Sequence, residues 1–286
     1  MNPRPLIHDP VRLFGDYMAV TGVPALEPEP DLPFSGKKLG VVNGASWTSL
    51  WSTYFARREL PGVQVVNAGN EGVQLHFMRA HREGRPCPPP INIELFCRYA
   101  RDLFDLARVD AILISCSTMN RAFARVQSDL APLGVPVVQI DEAMMEEAVR
   151  RRGRILVIAT HGPTVKSTQS LIEETAARLR LPVEFTGATV EDAFELLGAG
   201  RIADHNRAIA DAIRQAQRRE RVDIVVLAQM SMSVFAFSHP DPEKDFGVKV
   251  LNSGETGFRR AGEVLLAKNR EAEDRIQPPG PGARPH

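Results

Sequence analysis

Hydrophobic residues along this chain fall into short continuous runs that alternate with longer stretches of helical spacing. The runs at 39–43, 111–115 and 154–159 are largely apolar. Such runs are typical of strands whose two faces are both covered by helices. The stretch 92–107 instead carries apolar residues three and four positions apart, which predicts an amphipathic helix. Strands that alternate with helices in this way predict an α/β protein with mostly parallel sheets.

The same pattern predicts elements along the rest of the chain. The segment 83–90 contains four prolines and is expected to be a long loop, because proline fixes φ and removes a hydrogen-bond donor. The further predicted strands are 63–67, 135–140, 182–186, 222–228 and 248–252, and the further predicted helices are 10–20, 48–60, 142–150, 164–180, 190–197, 202–219 and 254–267.

Parts of the first half of the chain return in the second half. The stretch RVDAILISCSTM at 108–119 returns as RVDIVVLAQMSM at 221–232. In the same chain order, GVPVV at 134–138 resembles GVKVL at 247–251, and KLGVV at 38–42 resembles RILVI at 154–158. The period is too long for a solenoid, so the repeat indicates a duplicated domain. We therefore predict two flavodoxin-like lobes with the active site in the cleft between them.

The repeat and the proline content divide the chain into five parts. Residues 1–36 are a proline-rich extension that is expected to wrap the first lobe. The first lobe is 37–150 and the second lobe is 151–252. The helix within 253–275 is expected to pack back on the first lobe, and the proline- and glycine-rich tail 276–286 is expected to be disordered.

Composition and charge narrow the range of partners. Lys plus Arg and Asp plus Glu are both 35, which gives a formal net charge of zero, and no basic stripe with interleaved aromatics indicates nucleic-acid binding. No apolar run reaches the ~18 residues that a membrane span needs, and residues 1–10 have no signal-peptide core. Three cysteines without paired spacing favour a reducing compartment, so we expect a cytoplasmic protein. A homodimer is the default expectation for its assembly.

Polar residues follow several predicted strands at their carboxyl ends, where ligands bind in parallel sheets. They are Asn43, Cys116, Thr160 and Gln229. Cys116 is followed by a polar turn that is expected to begin a helix, where unpaired N–H groups and the helix dipole should lower the pKa of the thiol. Cys116 is therefore predicted to be a base or nucleophile near neutral pH, whereas Cys87 and Cys97 are expected to have no catalytic role.

Four short motifs lie in order along the chain. They are SCST at 115–118, IATHGPT at 158–164, VLAQMS at 226–231 and NSGE at 252–255. They resemble the Cys-Asn-Thr, Ala-Thr-x-x-Thr, Leu-Gly-Cys-Thr-His and Asp-Ser-Gly-Glu motifs of the aspartate/glutamate racemase superfamily, over about residues 38–268. The resemblance implies duplicated α/β lobes and an enzyme that needs neither pyridoxal phosphate nor a metal ion. In that family two cysteines flank the acidic carbon, and one removes a proton while the other delivers one to the opposite face.

The resemblance also implies the residues of the site. A small carboxylate-bearing substrate would lie between Cys116 and Gln229, and His161 is a further candidate catalytic residue. Charge that develops on the substrate would be stabilised by backbone N–H groups and hydroxyls near the strand ends. The expected substrate-binding residues are Asn43, Gly44, Ser117, Thr118, Thr160, Thr164 and Ser231.

The chain departs from the family pattern at the second cysteine, where it has Gln229. An amide does not titrate in the accessible pH range, so a symmetric two-thiol racemase is disfavoured. Asn43 replaces a residue that is often acidic in the glutamate-specific branch, and Ser231 stands where that branch has a histidine. Specificity for glutamate therefore does not carry over.

Four interpretations of function remain open. In the preferred one, Cys116 transfers a proton in an isomerase or epimerase of a small carboxylate or keto acid, and a water molecule, His161 or Asp141 supplies a second proton. In the second, Cys116 protonates one face of the substrate after a group such as carbon dioxide has left, as in a lyase. In the third the lobes bind a small anion without catalysis. The last is hydrolysis by a dyad of Cys116 and His161.

Several other residues are interpreted as structural or left open. His76 and His81 are expected on the surface, and the loop around His239 either covers the cleft or is a plain surface loop. The apolar residues after Gln229 are expected mainly in the core; they are Met230, Met232, Val234, Phe235 and Phe237. If some of these residues, or Trp47 and Trp51, line the cleft, the substrate carries an apolar portion.

Overall fold

The computed structural model describes residues 9–22 and 31–276, of which 268–276 are described by their backbone alone. The predicted disordered tail, apart from residue 276, lies outside the described residues. The parts 1–8 and 23–30 of the predicted extension lie outside them as well.

Every predicted strand is observed, with ends that shift by a few residues. The strands are β1 (Lys38–Asn43), β2 (Gln64–Gly69), β3 (Ala111–Ile114), β4 (Val137–Gln139), β5 (Arg154–Ala159), β6 (Glu184–Thr189), β7 (Ile224–Leu227) and β8 (Lys249–Asn252). The helices are α1 (Pro10–Thr21), α2 (Ser49–Glu59), α3 (Glu71–Arg82), α4 (Pro90–Ala107), α5 (Phe123–Leu130), α6 (Glu142–Arg151), α7 (Gly162–Leu179), α8 (Glu191–Gly198), α9 (Ile202–Arg219), α10 (Phe235–Ser238), α11 (Pro242–Phe246) and α12 (Ser253–Ile276). Short 3-10 helices occupy Ser46–Thr48, Ser117–Ala122, Ala131–Leu133 and Met230–Val234. None of the helices in the described residues is long and apolar enough to cross a lipid bilayer.

The strands form two four-stranded sheets in which every neighbouring pair is parallel. The strand orders are β2-β1-β3-β4 and β6-β5-β7-β8, so the two lobes share one topology. This is the strand order of flavodoxin-like sheets. The predicted fold of two flavodoxin-like α/β lobes is confirmed.

The repeated Arg-Val-Asp motif has the same structural role in both lobes. In the first lobe Asp110 Oδ2 accepts a hydrogen bond of 2.8 Å from the backbone N–H of Lys38, and in the second lobe Asp223 Oδ2 accepts one of 2.8 Å from Arg154. The backbone N–H of each aspartate donates back to the carbonyl of the same partner, at 2.8 and 2.9 Å. Each aspartate therefore ties the start of the third strand of its lobe to the start of the first.

Each sheet has a hydrophobic core on both faces. In the first sheet β1 contributes Leu39 and Val41 to one core and Val42 to the other, because successive side chains of a strand point to opposite faces. In the second sheet β5 divides Val157 and Ile158 between two cores in the same way. Burial on both faces explains why these strands are continuous apolar runs in the sequence.

The helices that follow β4 and β8 are exchanged between the lobes. α6 follows the last strand of the first sheet, yet its Met145 lies in a core of the second sheet. α12 follows the last strand of the second sheet, yet its Phe258 lies in a core of the first. The two helices touch, and Arg260 of α12 donates a hydrogen bond of 2.9 Å to Glu146 of α6. The chain therefore crosses to the second lobe before α6, rather than after residue 150 as predicted.

Helix α3 is absent from the predicted elements, as are the short helices α10 and α11. α3 begins after Asn70, whose Oδ1 caps the helix by accepting a hydrogen bond of 2.7 Å from the N–H of Gly72. Val73 of this helix is buried in a core of the first lobe. His76, expected on the surface, is half-buried, and its ring Nδ1 lies 2.8 Å from Asn92 Oδ1.

Candidate active site

The carboxyl ends of both sheets border one cleft of about 710 Å³. Residues that follow β1, β3, β5 and β7 line it, together with residues of α3 and α8. Ligands of parallel sheets bind at this edge. The volume also lies within the range of ~300–1,000 Å³ that is typical of small-molecule sites. This cleft is therefore the candidate active site.

Eight of the ten predicted site residues line the cleft. Those of the first lobe are Gly44, Cys116, Ser117 and Thr118, and those of the second lobe are His161, Thr164, Gln229 and Ser231. Asn43 and Thr160 are instead buried behind its wall. The fold thus brings Cys116 and His161 into the same cleft from opposite lobes.

Cys116 follows the end of β3 and is partly buried in the wall of the cleft. Its Sγ lies 3.2 Å from Thr118 Oγ1. Burial raises the pKa of the thiol above its usual 9.0, and hydrogen bonds from Thr118 and from the backbone of Met119 offset part of the increase. The predicted lowering of this pKa is therefore wrong. Loss of hydration around the sulfur outweighs the N–H groups that follow it.

The sulfur of Cys116 packs against the backbone of Gly44. A Cβ atom at position 44 would overlap Cys116 Sγ and would lie 3.2 Å from the Cβ of Cys116. Any side chain at this position would therefore displace the thiol. Gly44 provides the space for the thiol, and its close approach contributes to the loss of hydration that raises the pKa.

The carboxamide of Gln229 has a fixed orientation. Its Oε1 accepts hydrogen bonds from the backbone N–H and the hydroxyl of Thr160, at 2.7 and 2.9 Å. A backbone N–H can only donate, so the oxygen of the amide must face Thr160. The NH2 group of Gln229 is then directed away from Thr160, and Gln229 lines the cleft. Thr160 supports Gln229 and does not contact the cleft, contrary to the prediction.

Asn43, also predicted to bind substrate, is completely buried behind the cleft wall. Its Oδ1 accepts hydrogen bonds from the hydroxyls of Ser52 and Ser115, at 2.8 and 2.7 Å. Its Nδ2 donates to Asn67 Oδ1 at 2.9 Å. A buried amide with partners on both of its polar atoms has a structural role. Asn43 fixes the strand ends of the first lobe rather than the substrate.

Asp141 lies behind the cleft and is linked to it through Ser117. The Ser117 hydroxyl donates a hydrogen bond of 3.0 Å to Asp141 Oδ1, and Gln139 Nε2 donates one of 3.3 Å to Oδ2. Burial raises the pKa of Asp141 to about 7, although the bond from Ser117 favours the charged form. Asp141 does not itself line the cleft, so its proposed supply of a proton would have to pass through Ser117.

His161 lies between β5 and α7 in the second lobe. Burial lowers the pKa of the imidazole below its usual 6.5; Glu191 opposes this shift and His81 adds to it. The neutral imidazole is therefore the stable form near neutral pH. Its ring lies 5.2 Å from the ring of Phe194. His81 comes from the first lobe and is exposed as expected, but it also lines the cleft.

The loop around His239 does not cover the cleft. His239 Nδ1 lies 2.6 Å from Asp245 Oδ2, and its ring stacks on Phe235 with the centroids 4.6 Å apart. These contacts hold the loop against its own lobe, and His239 is absent from the cleft wall. Of the two alternatives for this loop, the plain surface loop is the one observed.

Helices α3 and α8 contribute site residues that are absent from the predicted set. They include Phe77, Met78 and Arg82 of α3 and Phe194 of α8. Trp47 and Met230 also line the cleft, whereas Met232, Val234 and Phe235 are buried in the protein. For α3 a signal is present, because Val73, Phe77 and Ala80 have helical spacing.

The two-lobed fold is found in solved racemase structures. Glutamate racemase isoform RacE1 from Bacillus anthracis is 16% identical, with a TM-score of 0.57 over 82% of this chain and 83% of that one. Glutamate racemase from Francisella tularensis, in complex with D-glutamate, is 14% identical, with a TM-score of 0.57 over 82% of each chain. Allantoin racemase from Klebsiella pneumoniae is 14% identical, with a TM-score of 0.52 over 82% of this chain and 89% of that one. Because the sequence identities are this low, the similarities establish a shared fold and nothing about activity.

Sequence comparison identifies the family. No curated protein sequence is significantly similar to this chain. The family model described as Asp/Glu/Hydantoin racemase matches residues 90–261, which include Cys116, His161 and Gln229. The match spans more than half of the sequence, and this protein therefore belongs to the Asp/Glu/Hydantoin racemase family.

Proposed function

We propose that this protein is a cofactor-independent isomerase, of the racemase or epimerase type, that acts on a small acid. Its substrate has a carboxylate or carbonyl next to a carbon that bears an acidic hydrogen. The observation that supports this most directly is that Cys116 and His161 line one cleft from opposite lobes. Inversion at carbon needs two such groups, because the proton leaves from one face and returns to the other.

Burial shifts the pKa values of these two groups in opposite directions. The lowered pKa of His161 keeps a neutral imidazole that can accept a proton, and the raised pKa of Cys116 keeps a thiol that can donate one. Titratable groups whose pKa values are pushed apart are typical of an acid–base pair. We assign the base to His161 and the acid to Cys116 in one direction of the reaction, with the roles reversed in the other.

The proposed reaction moves only hydrogen. The bond between carbon and its acidic hydrogen breaks, the proton passes to the imidazole of His161, and the electron pair moves into the adjacent carboxylate or carbonyl. Cys116 then delivers its proton to the opposite face of the carbon. A thiolate and an imidazolium remain, and proton exchange with water restores both groups.

Gln229 is assigned to charge stabilisation, because an amide cannot transfer the proton. Negative charge that develops on the substrate oxygen requires hydrogen-bond donors already aimed at it. The NH2 group of Gln229 is such a donor, since Thr160 fixes the orientation of the amide. In this proposal the Cys116 thiol donates to Thr118 Oγ1, which leaves the hydroxyl proton of Thr118 as a second donor to the substrate.

The raised pKa of Cys116 also favours a second candidate, a single-thiol lyase. A thiol that stays protonated is suited to deliver a proton to a carbanion on one face after carbon dioxide has left. This reaction needs no base on the opposite lobe. It would give a single enantiomer and would not depend on His161.

Incubation of the protein with candidate acids in deuterium oxide tests the proposal. Amino acids, hydroxy acids and 5-substituted hydantoins are suitable compounds. An isomerase incorporates deuterium at the acidic carbon with inversion, and Cys116→Ser and His161→Asn should each lower the rate by at least ~100-fold. A lyase releases carbon dioxide and loses activity in the Cys116 variant alone. Cys97→Ser is the control, since Cys97 is outside the cleft wall, and full activity in Cys116→Ala would exclude both candidates.

A further inference from the structure

One wall of the cleft is apolar and is built by both lobes. Trp47, Phe77 and Met78 come from the first lobe and Phe194 from the second. Trp47 is 38% exposed and the other three side chains are half-buried. Large apolar side chains are normally buried in a core. Exposure of several of them in one concave surface marks a site that takes up an apolar group.

The position of Trp47 is fixed by hydrogen bonds to α3. Its backbone N–H donates to Glu71 Oε1 at 3.2 Å, and its indole Nε1 donates to Gln74 Oε1 at 3.1 Å. The hydroxyl of Ser46 also bonds to the carboxylate of Glu71. The indole is thus held in place before any ligand binds, which lowers the conformational cost of binding. The wall is preorganised on the helix that also carries Phe77.

The polar groups of the cleft lie at the strand ends and at exposed positions. Cys116, Thr118 and Gln229 follow strands, and Gln74, a polar residue of the apolar wall, is already bonded to Trp47. The charged side chains that line the cleft from α3 and α8 are exposed; they include Arg82, Glu191 and Glu195. A substrate whose reacting carbon lies at the strand ends therefore extends its substituent towards apolar side chains.

We propose that the reacting carbon of the substrate carries a bulky apolar substituent, an aryl or arylmethyl group, that packs on Trp47, Phe77 and Phe194. The proposal rests on the proposed proton transfer by Cys116 and narrows its substrate. A carboxylate in the substituent would lose hydration against Trp47, Phe77 and Phe194, which offer it no charged partner, and this loss is costly. The cleft volume of about 710 Å³ has room for an aromatic ring beside the reacting carbon.

Binding of inert carboxylates tests the apolar wall without turnover. The chain has two tryptophans, Trp47 and Trp51, and of these Trp47 lines the cleft. 3-Phenylpropanoate should change the intrinsic fluorescence and bind at least about tenfold more tightly than propanoate or glutarate, because it buries an aromatic ring. The fluorescence change should be lost in Trp47→Phe and kept in Trp51→Phe. Equal affinity for 3-phenylpropanoate and propanoate would overturn the proposal.

Phe194→Ala provides a test in the second lobe. It should weaken the binding of 3-phenylpropanoate by about tenfold, since one side of the apolar wall is removed, and leave the binding of propanoate unchanged. Leu75→Ala is the matched control. Leu75 lies on α3 and is 63% exposed, but it does not line the cleft. A Phe194 variant that binds both compounds like the parent protein contradicts the proposal.

Turnover of matched compounds separates this inference from the proposed function. Phenylalanine is compared with alanine, and 5-benzylhydantoin with 5-methylhydantoin, by deuterium incorporation at the acidic carbon. The benzyl compounds should have the higher kcat/KM, and Phe194→Ala should remove the preference through KM. If 3-phenylpropanoate binds as expected but none of these compounds exchanges, the proton-transfer proposal fails and the apolar site stands. If benzyl and methyl compounds exchange equally well, the substrate proposal fails and proton transfer stands.

Discussion

The side-chain oxygen of Gln229 is held by Thr160, which donates to it from both its backbone N–H and its hydroxyl. This arrangement leaves the NH2 group as the part of the amide that is available to a ligand. It explains how a glutamine can occupy the place of a thiol in the site. In the proposed reaction Gln229 contacts the substrate and does not transfer a proton.

Replacement of Thr160 by valine tests this arrangement. Thr160→Val keeps the backbone hydrogen bond to Gln229 and removes the hydroxyl bond. Because one hydrogen bond contributes ~1 kcal/mol, kcat/KM for proton exchange should fall about 3- to 10-fold. Thr175→Val is the control, since Thr175 is a buried threonine of α7 outside the cleft wall. An equal fall in both variants would indicate general destabilisation instead.

A second thiol at position 229 should change the mechanism. Gln229→Cys places a titratable group on the second lobe opposite Cys116, so proton exchange with inversion should persist in the double variant with His161→Asn. His161→Asn alone should lack it. Chiral chromatography of the product measures the outcome. A double variant as inactive as His161→Asn would show that position 229 does not reach the reacting carbon.

Alanine at Gly44 should disable the thiol. The added Cβ overlaps Cys116 Sγ, so the sulfur must move, and misplacement of a reacting group by about 1 Å can cost ~100-fold in rate. We expect a fall of that order in kcat/KM for Gly44→Ala. Gly15→Ala is the matched control, because a Cβ at Gly15 meets nothing within 4 Å. Thiol-labelling rates of Cys116 provide a readout that does not depend on turnover.

Asp141 should make the protein less stable as the pH rises. Its pKa is about 7 in the folded protein against an ordinary value of 3.8, so the folded state holds the proton more tightly. The stabilisation is complete below about pH 4 and is lost as the pH rises to about 7, with a total of roughly 4 kcal/mol. Asp141→Asn removes this dependence. The variant should therefore be the more stable protein at pH 8, with a smaller advantage at pH 4, in denaturant titrations of the free energy of unfolding.

The rate of proton exchange should have a broad plateau between two limbs. In the direction in which His161 is the base, the reaction requires its neutral form, and its pKa lies below 6.5, so the acidic limb should fall below that pH. The same direction requires protonated Cys116, whose pKa lies above 9.0, so the basic limb should fall above that pH. The lyase alternative should show the basic limb alone. A pH profile of kcat/KM for the parent protein distinguishes the two.

The sequence predicted the strands well for a physical reason. A strand covered on both faces, such as β3 or β7, is apolar throughout, and its duplicate gives independent support. α3 was harder to predict, because Val73, Leu75 and Phe77 also alternate as a strand does. The helical spacing extends to Ala80, and Asn70 supplies the cap. Because α3 was not predicted, the residues that it contributes to the apolar wall were absent from the predicted site.

The sequence predicted which residues line the site, but it did not predict what surrounds each of them. Position after a buried strand identified Cys116 and Gln229, which both line the cleft. The direction of the Cys116 pKa shift depends on what covers the sulfur, and part of that cover is Gly44, which is distant in the sequence. Asn43 has the right position for a ligand contact, but its neighbours Ser52 and Ser115 turn it inwards. Tertiary packing decides which side chains become neighbours, and the order of residues in the sequence does not show this.

The exchange of α6 and α12 has a consequence for the independence of the two lobes. A polypeptide that stopped at residue 252 would leave Phe55 and Leu60 without their cover from Phe258 and Leu265. Each lobe therefore depends on a helix that follows the last strand of the other, even though the two sheets share one topology. A protein of half the length with this topology could complete both cores only by exchanging last helices with a second copy, and the present chain contains that exchange within one polypeptide.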